Sequence, residues 1–417
     1  MNVRQALRDI RAKAKEYRGE QLALLGRLVS VDSGTGNAAG NLRVVEILEG
    51  ALEGVARVVE RREVSGVGTH LIARVGQIGA GRKVLCLAHL DTVFESGQAK
   101  EFPFRVEDDT VYGLGVVDCK AGVAVSLYAI KIAGELGLIP GDLEIALIYD
   151  CDEETGSETA RGLIASEAKD AQAAFVFEPS PGREGFVSHA GGSVFGSVSV
   201  ESQVMALAAG GAGNRDATLA IARITASLES HNDPSRGIFF HVFPRAPKPD
   251  WALAKGMAGR RMAGEGQEGA GGGEARELEG RAGVEFLATF RDGVGLKYVN
   301  DTLDKLGASA WAPGCRITLE REARVPTEAR RAGTLKAAAL AKTAGAKLGL
   351  ALAEEGPTSL SDGSWCSFYG LPTLDSLGPS ARDIHTEREA MSLKNFYERT
   401  ELFAMIVALL EKEFFRG

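Results

Sequence analysis

The segment from Leu143 to Ser157 reads LEIALIYDCDEETGS. A mainly apolar run ends at Asp150, and four acids then fall within five positions: Asp150, Asp152, Glu153 and Glu154. Like charges this close repel one another, so the end of a strand would not gather them for stability. Something must offset them, and a bound cation is one answer. Open α/β sheets build their sites in the loops that leave the carboxyl ends of strands. An apolar strand that runs into such a loop therefore predicts both the fold class and the place of the site.

Working outward, the same pattern recurs. The stretches ARVVERREV, THLIARVG, KVLCLAHL and AAFVFEP read as strands, and KVLCLAHL, LEIALIYD and AAFVFE are apolar enough to be buried on both faces. Helical spacing marks residues 4–29, NLRVVEILEGALEGV with Asn41 as its expected cap, AGVAVSLYAIKIAGEL, and a helix near SETARGLIASEA. After about Gly192 the character changes. SVFGSVSVES alternates as a half-buried strand, residues 217–229 read as a helix, and VEFLATFRD and RITLEREARV read as strands. Residues 254–282 are rich in Gly, Ala, Glu and Arg and are expected to form a mobile loop. From about Thr327 the α/β pattern returns and closes with a helix over 392–413. The expected fold is an α/β domain built from two chain segments, 1–192 and 327–417, interrupted by a smaller α+β domain, 193–326.

Bulk properties narrow the function. The 417 residues suit two domains, and the net charge of −8 argues against nucleic acid or an anionic membrane as partner. Five scattered cysteines without a C-x-x-C pair point to a reducing compartment and away from a cysteine zinc site. No signal-peptide core or membrane-length apolar run is present, so a cytoplasmic protein is expected.

Each candidate site residue is weak when taken singly. His89 and Asp91 in HLDTV could be a polar strand end, Asp118 in GLGVVDCKAG a helix cap, and Glu153 and Glu154 solvated loop acids. Glu178 in FEP needs a partner if buried, and His385 in ARDIHTE reads alone as a surface histidine. Together they supply two imidazoles and several carboxylates, the ligand mix zinc takes in hydrolytic sites.

HLDTV, GLGVVDCKAG, DEETGS, FEP and SLGPSARDIHTE, in that order, resemble the five metal-site motifs of the M20 metallopeptidases. RLVSVDSGT and SDGSW resemble the glutamate carboxypeptidase branch of that family. The resemblance implies a mixed-sheet zinc-peptidase domain with a lid and dimerisation domain, and two Zn2+ ions, with Co2+ or Mn2+ as alternatives. It implies His89 and Glu178 on one metal, Glu154 and His385 on the other, and Asp118 between them. Glu153 would be the general base, Asp91 would hold the ring of His89, and Arg291 in ATFRD would bind a substrate carboxylate. A cis peptide after Asp118 and a homodimer formed through the lid are also implied.

The resemblance fails in the lid. The family carries a histidine in a segment like AAHAG, whereas residues 202–222 read SQVMALAAGGAGNRDATLAIA without one, and an NVVP-like turn is missing near HVFPRAPKPD. Slow turnover is expected unless His231 or His241 takes that place. The expected activity is cleavage of an amide next to a free carboxylate in a small peptide, of the glutamate carboxypeptidase type. The alternatives are an N-acyl amino acid deacylase and a catalytically weakened metal-binding relative. An aminopeptidase of related fold fits the single inserted domain and the DEETGS spacing less well.

Overall fold

Alternation along strand Arg82–His89 explains its unbroken apolar run. Val84, Cys86 and Ala88 enter one core, shared with helices Val3–Val29, Gly122–Glu135 and Leu393–Leu409. Leu85 and Leu87 enter a second core on the opposite face, with Ile164, Trp365 and Phe368. A strand covered on both faces has no polar side to show. The computed structural model describes residues 2–79, 81–189, 191–202, 212–244, 281–325, 328–356 and 361–410.

The main sheet is mixed and eight-stranded. Its order is Val58–Val64, Gly68–Gly76, Leu143–Asp150, Arg82–His89, Ala173–Val176, Thr373–Asp375, Gly185–Ser188 and Ala353–Glu355. The four central strands, from Leu143–Asp150 to Thr373–Asp375, run parallel to one another. Their carboxyl ends therefore open on one edge of the sheet. Leu143–Asp150 is buried at every position, as its sequence predicts. Strands from residues 58–188 and from residues 353–375 lie in this one sheet, so the fold is α/β with a main sheet drawn from two chain segments.

Between these segments a four-stranded antiparallel sheet forms, in the order Phe239–Pro244, Arg281–Phe290, Gly192–Ser202, Cys315–Arg324. Its outer core packs Val198, Phe240 and Phe286 against Ile224, Val299 and Leu303 of two helices, Ala212–Glu229 and Gly293–Ala308. From its other face Phe195, Phe243 and Leu287 join the core around Trp365. The rings of Phe195 and Trp365 meet edge-on at 5.2 Å. These contacts fix the small sheet over the site edge of the large one. A third sheet pairs Ala381–Arg382 and Ala390–Ser392 with Thr110–Tyr112 and Arg105–Glu107. It ties the loop that carries His385 to the segment leading into Asp118.

One expectation needs correction. The second helix begins at Ala38, and its cap is Asn37, whose side chain accepts from the N–H of Gly40 at 3.0 Å. Asn41 lies inside that helix and is buried, where its side chain accepts from the N–H of Thr69 at 2.6 Å. A buried asparagine so placed serves a tertiary bond, which sequence spacing cannot show. The expected loop over 254–282 lies outside the described residues, except that Arg281 and Ala282 begin strand Arg281–Phe290. Residues 203–211, where the histidine-bearing lid segment was expected, also lie outside them.

Candidate metal centre

His89 is the last residue of its strand and is buried. Its Nδ1 lies 3.0 Å from the backbone oxygen of Asp91 and 3.4 Å from Oδ1 of Asp91. Its Nε2 lies 3.1 Å from Oδ1 of Asp118 and 3.7 Å from Oε1 of Glu178. One ring nitrogen is thus anchored, and the other faces the acids. Asp91 does more than hold that ring. Its carboxylate also accepts from the N–H groups of Glu153 and Glu154, at 3.2 and 3.3 Å, and from the hydroxyl of Thr35 at 2.6 Å.

Asp118 sits in the loop before helix Gly122–Glu135, and the Asp118–Cys119 peptide is cis. While Oδ1 of Asp118 faces His89, Oδ2 lies 3.1 Å from Nε2 of His385. The same His385 nitrogen is 3.2 Å from Oε2 of Glu154. His385 adopts a left-handed backbone conformation, φ 62°, and its side chain is 49% exposed. Glu153 and Glu154 lie in a single helical turn, Glu153–Thr155, after strand Leu143–Asp150. Glu178 follows strand Ala173–Val176 by two residues. The structure thus brings His89, Asp91, Asp118, Glu153, Glu154, Glu178 and His385 to one edge of the sheet. Asp118, Glu153, Glu154, Glu178 and His385 line one cleft of about 1230 Å³.

Arg291 is placed apart. It lines an adjoining cavity of about 890 Å³, which shares His189 and Phe239 with the cleft. Its guanidinium lies between Gly237 and Gly356 and has no ion pair among the described residues.

Electrostatics show what the cluster demands. Burial pushes Glu178 up to about 8 against the pull of His89. Burial, with Glu178 adding to it, raises Glu153 well above the usual carboxyl range. Burial also raises Glu154, although His385 opposes it. Asp118 goes the other way: burial works against it, but His385 and His89 hold it below the usual range. Bonds to Asp118 and Glu154 raise His385 to about 10. Burial disfavours charge on His89, yet Glu178, Cys119, Asp118 and Asp91 hold its pKa well above the ordinary imidazole value. These shifts favour charge on both imidazoles and protons on the buried glutamates, the neutralising task that divalent cations perform in such a cluster.

The donor set fits metal ions on the structure's own terms. Nitrogen and oxygen donors of His89, Asp118 and Glu154 lie within 4.8 Å of one another, as do donor atoms of His89, Cys119 and Glu178. Oε1 of Glu154 is buried with no hydrogen-bond partner among the described residues. Cys119 is the poorest of these donors. Its thiol donates to the carbonyl of Phe177 at 3.1 Å, and burial raises its pKa well above the usual value.

Not all four acids of the opening segment face this cleft. Asp152 accepts from the N–H groups of Thr159 and Ala160 at 2.7 and 3.3 Å and so caps helix Ala160–Ala168. Asp150 is buried, and burial followed by Asp362, Asp91 and Asp152 raises its pKa well above the carboxylate range. The idea that a metal offsets all four is therefore corrected. Glu153 and Glu154 line the cleft, one acid is a cap, and in the fourth burial favours the protonated form.

Other residues escaped sequence reasoning. Glu389 accepts from the N–H groups of Gly115, Val117 and Asp118 at 3.1, 2.9 and 3.1 Å, and so clamps the Asp118 loop to the segment bearing His385. His189 and Asp375 meet at 3.1 Å on the cleft wall. Ser361 also hydrogen-bonds Asp375. The SDGSW stretch, which begins at Ser361, was the only signal for this network.

A mixed α/β sheet with two histidines and several carboxylates at its carboxyl edge makes a candidate metal centre. The chain matches the model of peptidase family M20/M25/M40 over residues 85–409 and belongs to that family. It is 37% identical over 158 residues to carboxypeptidase G2 of Pseudomonas sp. (strain RS-16), a match covering 37% of this chain and 38% of that one. It is 31% identical over 170 residues to a putative succinyl-diaminopimelate desuccinylase DapE of Mycobacterium tuberculosis (strain CDC 1551 / Oshkosh), covering 40% and 44% of the two chains. The matches thus span about two fifths of the length of these relatives. The fold is also that of the Bacillus subtilis YXEP protein, described as a dinuclear metal binding peptidase from the M20 family. The TM-score is 0.53 at 11% identity, over 95% of this chain and 99% of that one. Among the described residues, no helix is long and apolar enough to cross a membrane.

Proposed function

We propose that the protein is a dizinc hydrolase that cleaves an amide next to a free carboxylate, of the glutamate carboxypeptidase type. The observation that carries this reading is the divided carboxylate of Asp118, one oxygen toward His89 and the other toward His385. That geometry suits a ligand shared by two ions, with Glu178 beside His89 and Glu154 beside His385. Zinc suits the mixed nitrogen and oxygen donors, with cobalt or manganese as substitutes. When bound, two such ions would supply Lewis acidity and a water acidic enough to ionise near neutral pH. Glu153, unprotonated, takes the proton of the attacking water and delivers it to the departing amide nitrogen. Asp91 holds His89 and the turn bearing Glu153 in one register.

Recognition of a carboxylate is supported by the adjoining cavity. Arg291 lines it without an ion pair among the described residues, and among those residues the hydroxyls of Ser193, Thr289 and Ser364 beside it are buried without partners. A carboxylate would satisfy such donors. Glu354 on the same wall is already paired with Lys342 at 2.6 Å. The residues 193–326 would act as the lid over this cavity and the cleft. The exposed edge strand of the small sheet, Cys315–Arg324, is where a second copy would pair to form a dimer. An N-acyl amino acid also carries a free carboxylate, and the match to a putative desuccinylase supports deacylation as the second reading.

Turnover of a panel of C-terminal glutamate conjugates and N-acyl amino acids, with metal analysis of the same sample, tests this. Zinc near two per chain and preference for the glutamate conjugates are expected. A full metal complement with no turnover on any member would favour a metal-binding relative without catalysis.

A further inference from the structure

We infer that the acyl part of the substrate lies on Val93 and Phe94, beyond Glu154 and His385, and that it is an uncharged apolar group. This rests on the amide-hydrolase reading above and concerns the end of the substrate away from its carboxylate.

Strand order sets a line along the carboxyl edge of the main sheet. Leu143–Asp150 leads to Glu154, Arg82–His89 ends in His89, and Ala173–Val176 leads to Glu178. Beyond them Thr373–Asp375 and Gly185–Ser188 bring in Asp375 and His189, which pair with each other. The cavity of Arg291 joins the cleft at His189, one end of this line. Two further cavities join it at the other end. One, of about 570 Å³, shares His385 with the cleft, and one, of about 620 Å³, shares Glu154 and Thr155. A substrate whose carboxylate reaches Arg291 therefore carries its amide over the clustered histidines and acids and its acyl group toward these outer cavities.

Val93, Phe94 and Glu95 line both outer cavities. They follow Asp91 by a few residues, and packing fixes their loop. The N–H of Thr35 donates to the carbonyl of Thr92 at 3.1 Å, and Gly34 lies so close to the carbonyl of Phe94 that a side chain there would collide with it. Val93 is nevertheless 44% exposed, and Ile384, which adjoins His385 on the cleft wall, is 38% exposed. Apolar side chains grouped in the open beside a cleft form a surface for a ligand to cover. Charge selects the character of that ligand. Glu95 borders both cavities and Glu387 one of them, while Arg388 is already paired with Asp383 at 4.0 Å. A carboxylate on the acyl group would be repelled by these acids, whereas Arg291 receives one at the opposite end.

The test measures kcat/KM of the zinc-loaded protein on N-acetyl-, N-butanoyl-, N-hexanoyl- and N-succinylglutamate. Hexanoyl should exceed acetyl by ~10-fold or more, because its extra methylenes are covered. Succinyl should fall ~10-fold or more below butanoyl, its uncharged counterpart. Val93→Ser and Phe94→Ser should each lower the hexanoyl-to-acetyl ratio, and Glu95→Gln with Glu387→Gln should raise the succinyl-to-butanoyl ratio. A hexanoyl-to-acetyl ratio that neither serine variant moves, or a wild-type preference for succinyl, would overturn the inference. The amide-hydrolase reading fails separately, if wild type turns over no member of the panel. Calorimetry of the zinc-loaded protein with hexanoate and acetate then decides the contact. Hexanoate should bind more tightly than acetate in wild type, with the difference reduced in Val93→Ser, and equal affinities in wild type would overturn it.

Discussion

The backbone N–H of Glu153 donates to Oδ1 of Asp91 at 3.2 Å, and that same oxygen lies 3.4 Å from Nδ1 of His89. One buried carboxylate thus sets a proposed metal ligand and the proposed general base in a single register. Asp91→Ala should release both. Metal affinity should fall ~10- to 100-fold, as it does when partners of ligating histidines are removed. Turnover should fall further, because the turn bearing Glu153 loses two acceptors. Competition with a zinc chelator measures the first effect and saturating-metal kinetics the second.

Glu153 itself touches neither histidine, so its loss should separate chemistry from metal binding. Glu153→Gln keeps the size of the side chain and should keep two metals per chain. It should lower kcat by ~100- to 10,000-fold, the usual worth of a positioned base. Wild-type turnover in this variant would assign the base elsewhere.

Asp118 faces both histidines, through different oxygens. Asp118→Ala should therefore weaken both metal sites together, and equilibrium dialysis should show less than one ion per chain at a zinc level that saturates wild type. Loss of one ion with the other intact would mean two independent mononuclear sites.

Protonation of the cluster makes the metal-free protein pH-sensitive in a definite direction. Glu178 moves from 4.5 up to about 8 and His385 from 6.5 up to about 10, so the folded state holds these protons more tightly than the unfolded chain. Their contributions are complete below the unfolded values and are lost as pH rises through the folded ones. His385 is half exposed, so its share is screened. Asp118 is depressed, and its contribution is lost as pH falls below its ordinary 3.8. Thermal unfolding in chelator should thus show greatest stability between about pH 4 and 5, then decline toward pH 10. Metal must displace the same protons. Zinc affinity should rise with pH, and calorimetry in buffers of different ionisation enthalpy should show proton release near pH 7. Stability rising from pH 5 to 9 in chelator would contradict the assignment.

Much of the large sheet was legible because its signals are local. Strand Leu143–Asp150 announces itself by an apolar run ended by acids, and the motifs of His89, Glu153 and Glu178 fall where parallel strands end, whereas those of Asp118 and His385 adjoin the antiparallel third sheet. What was not legible depends on contacts between distant segments. Nothing near Glu389 marks it as the acceptor for three N–H groups around Asp118, more than 270 positions earlier. Asp152 and Glu153 are neighbours of like charge, and only the fold turns one to cap a helix and the other into the cleft. Asn41 looked like a cap because asparagine before an amphipathic run usually is one, whereas Asn37 had the better geometry and Asn41 a buried partner at Thr69.

The contact between Gly156 and Phe243 decides whether the small sheet can sit over the turn Glu153–Thr155. Gly156 has φ 95°, a conformation in which a side chain is strained by about 1–3 kcal/mol, and its Cβ would stand 3.1 Å from Phe243 Cγ. Gly156→Ala should therefore lower stability through the backbone and, through the ring, push the strand Phe239–Pro244 away from Glu153. Metal content should be unchanged and kcat reduced. A double-mutant cycle with Phe243→Ala separates the two causes. If the backbone alone matters, the effect of Gly156→Ala is the same in both backgrounds. If the ring is in contact, the variants should couple by about 0.5–3 kcal/mol in thermal unfolding, and Phe243→Ala should relieve part of the loss. Additive effects on both stability and kcat would show that the small sheet does not rest on this turn.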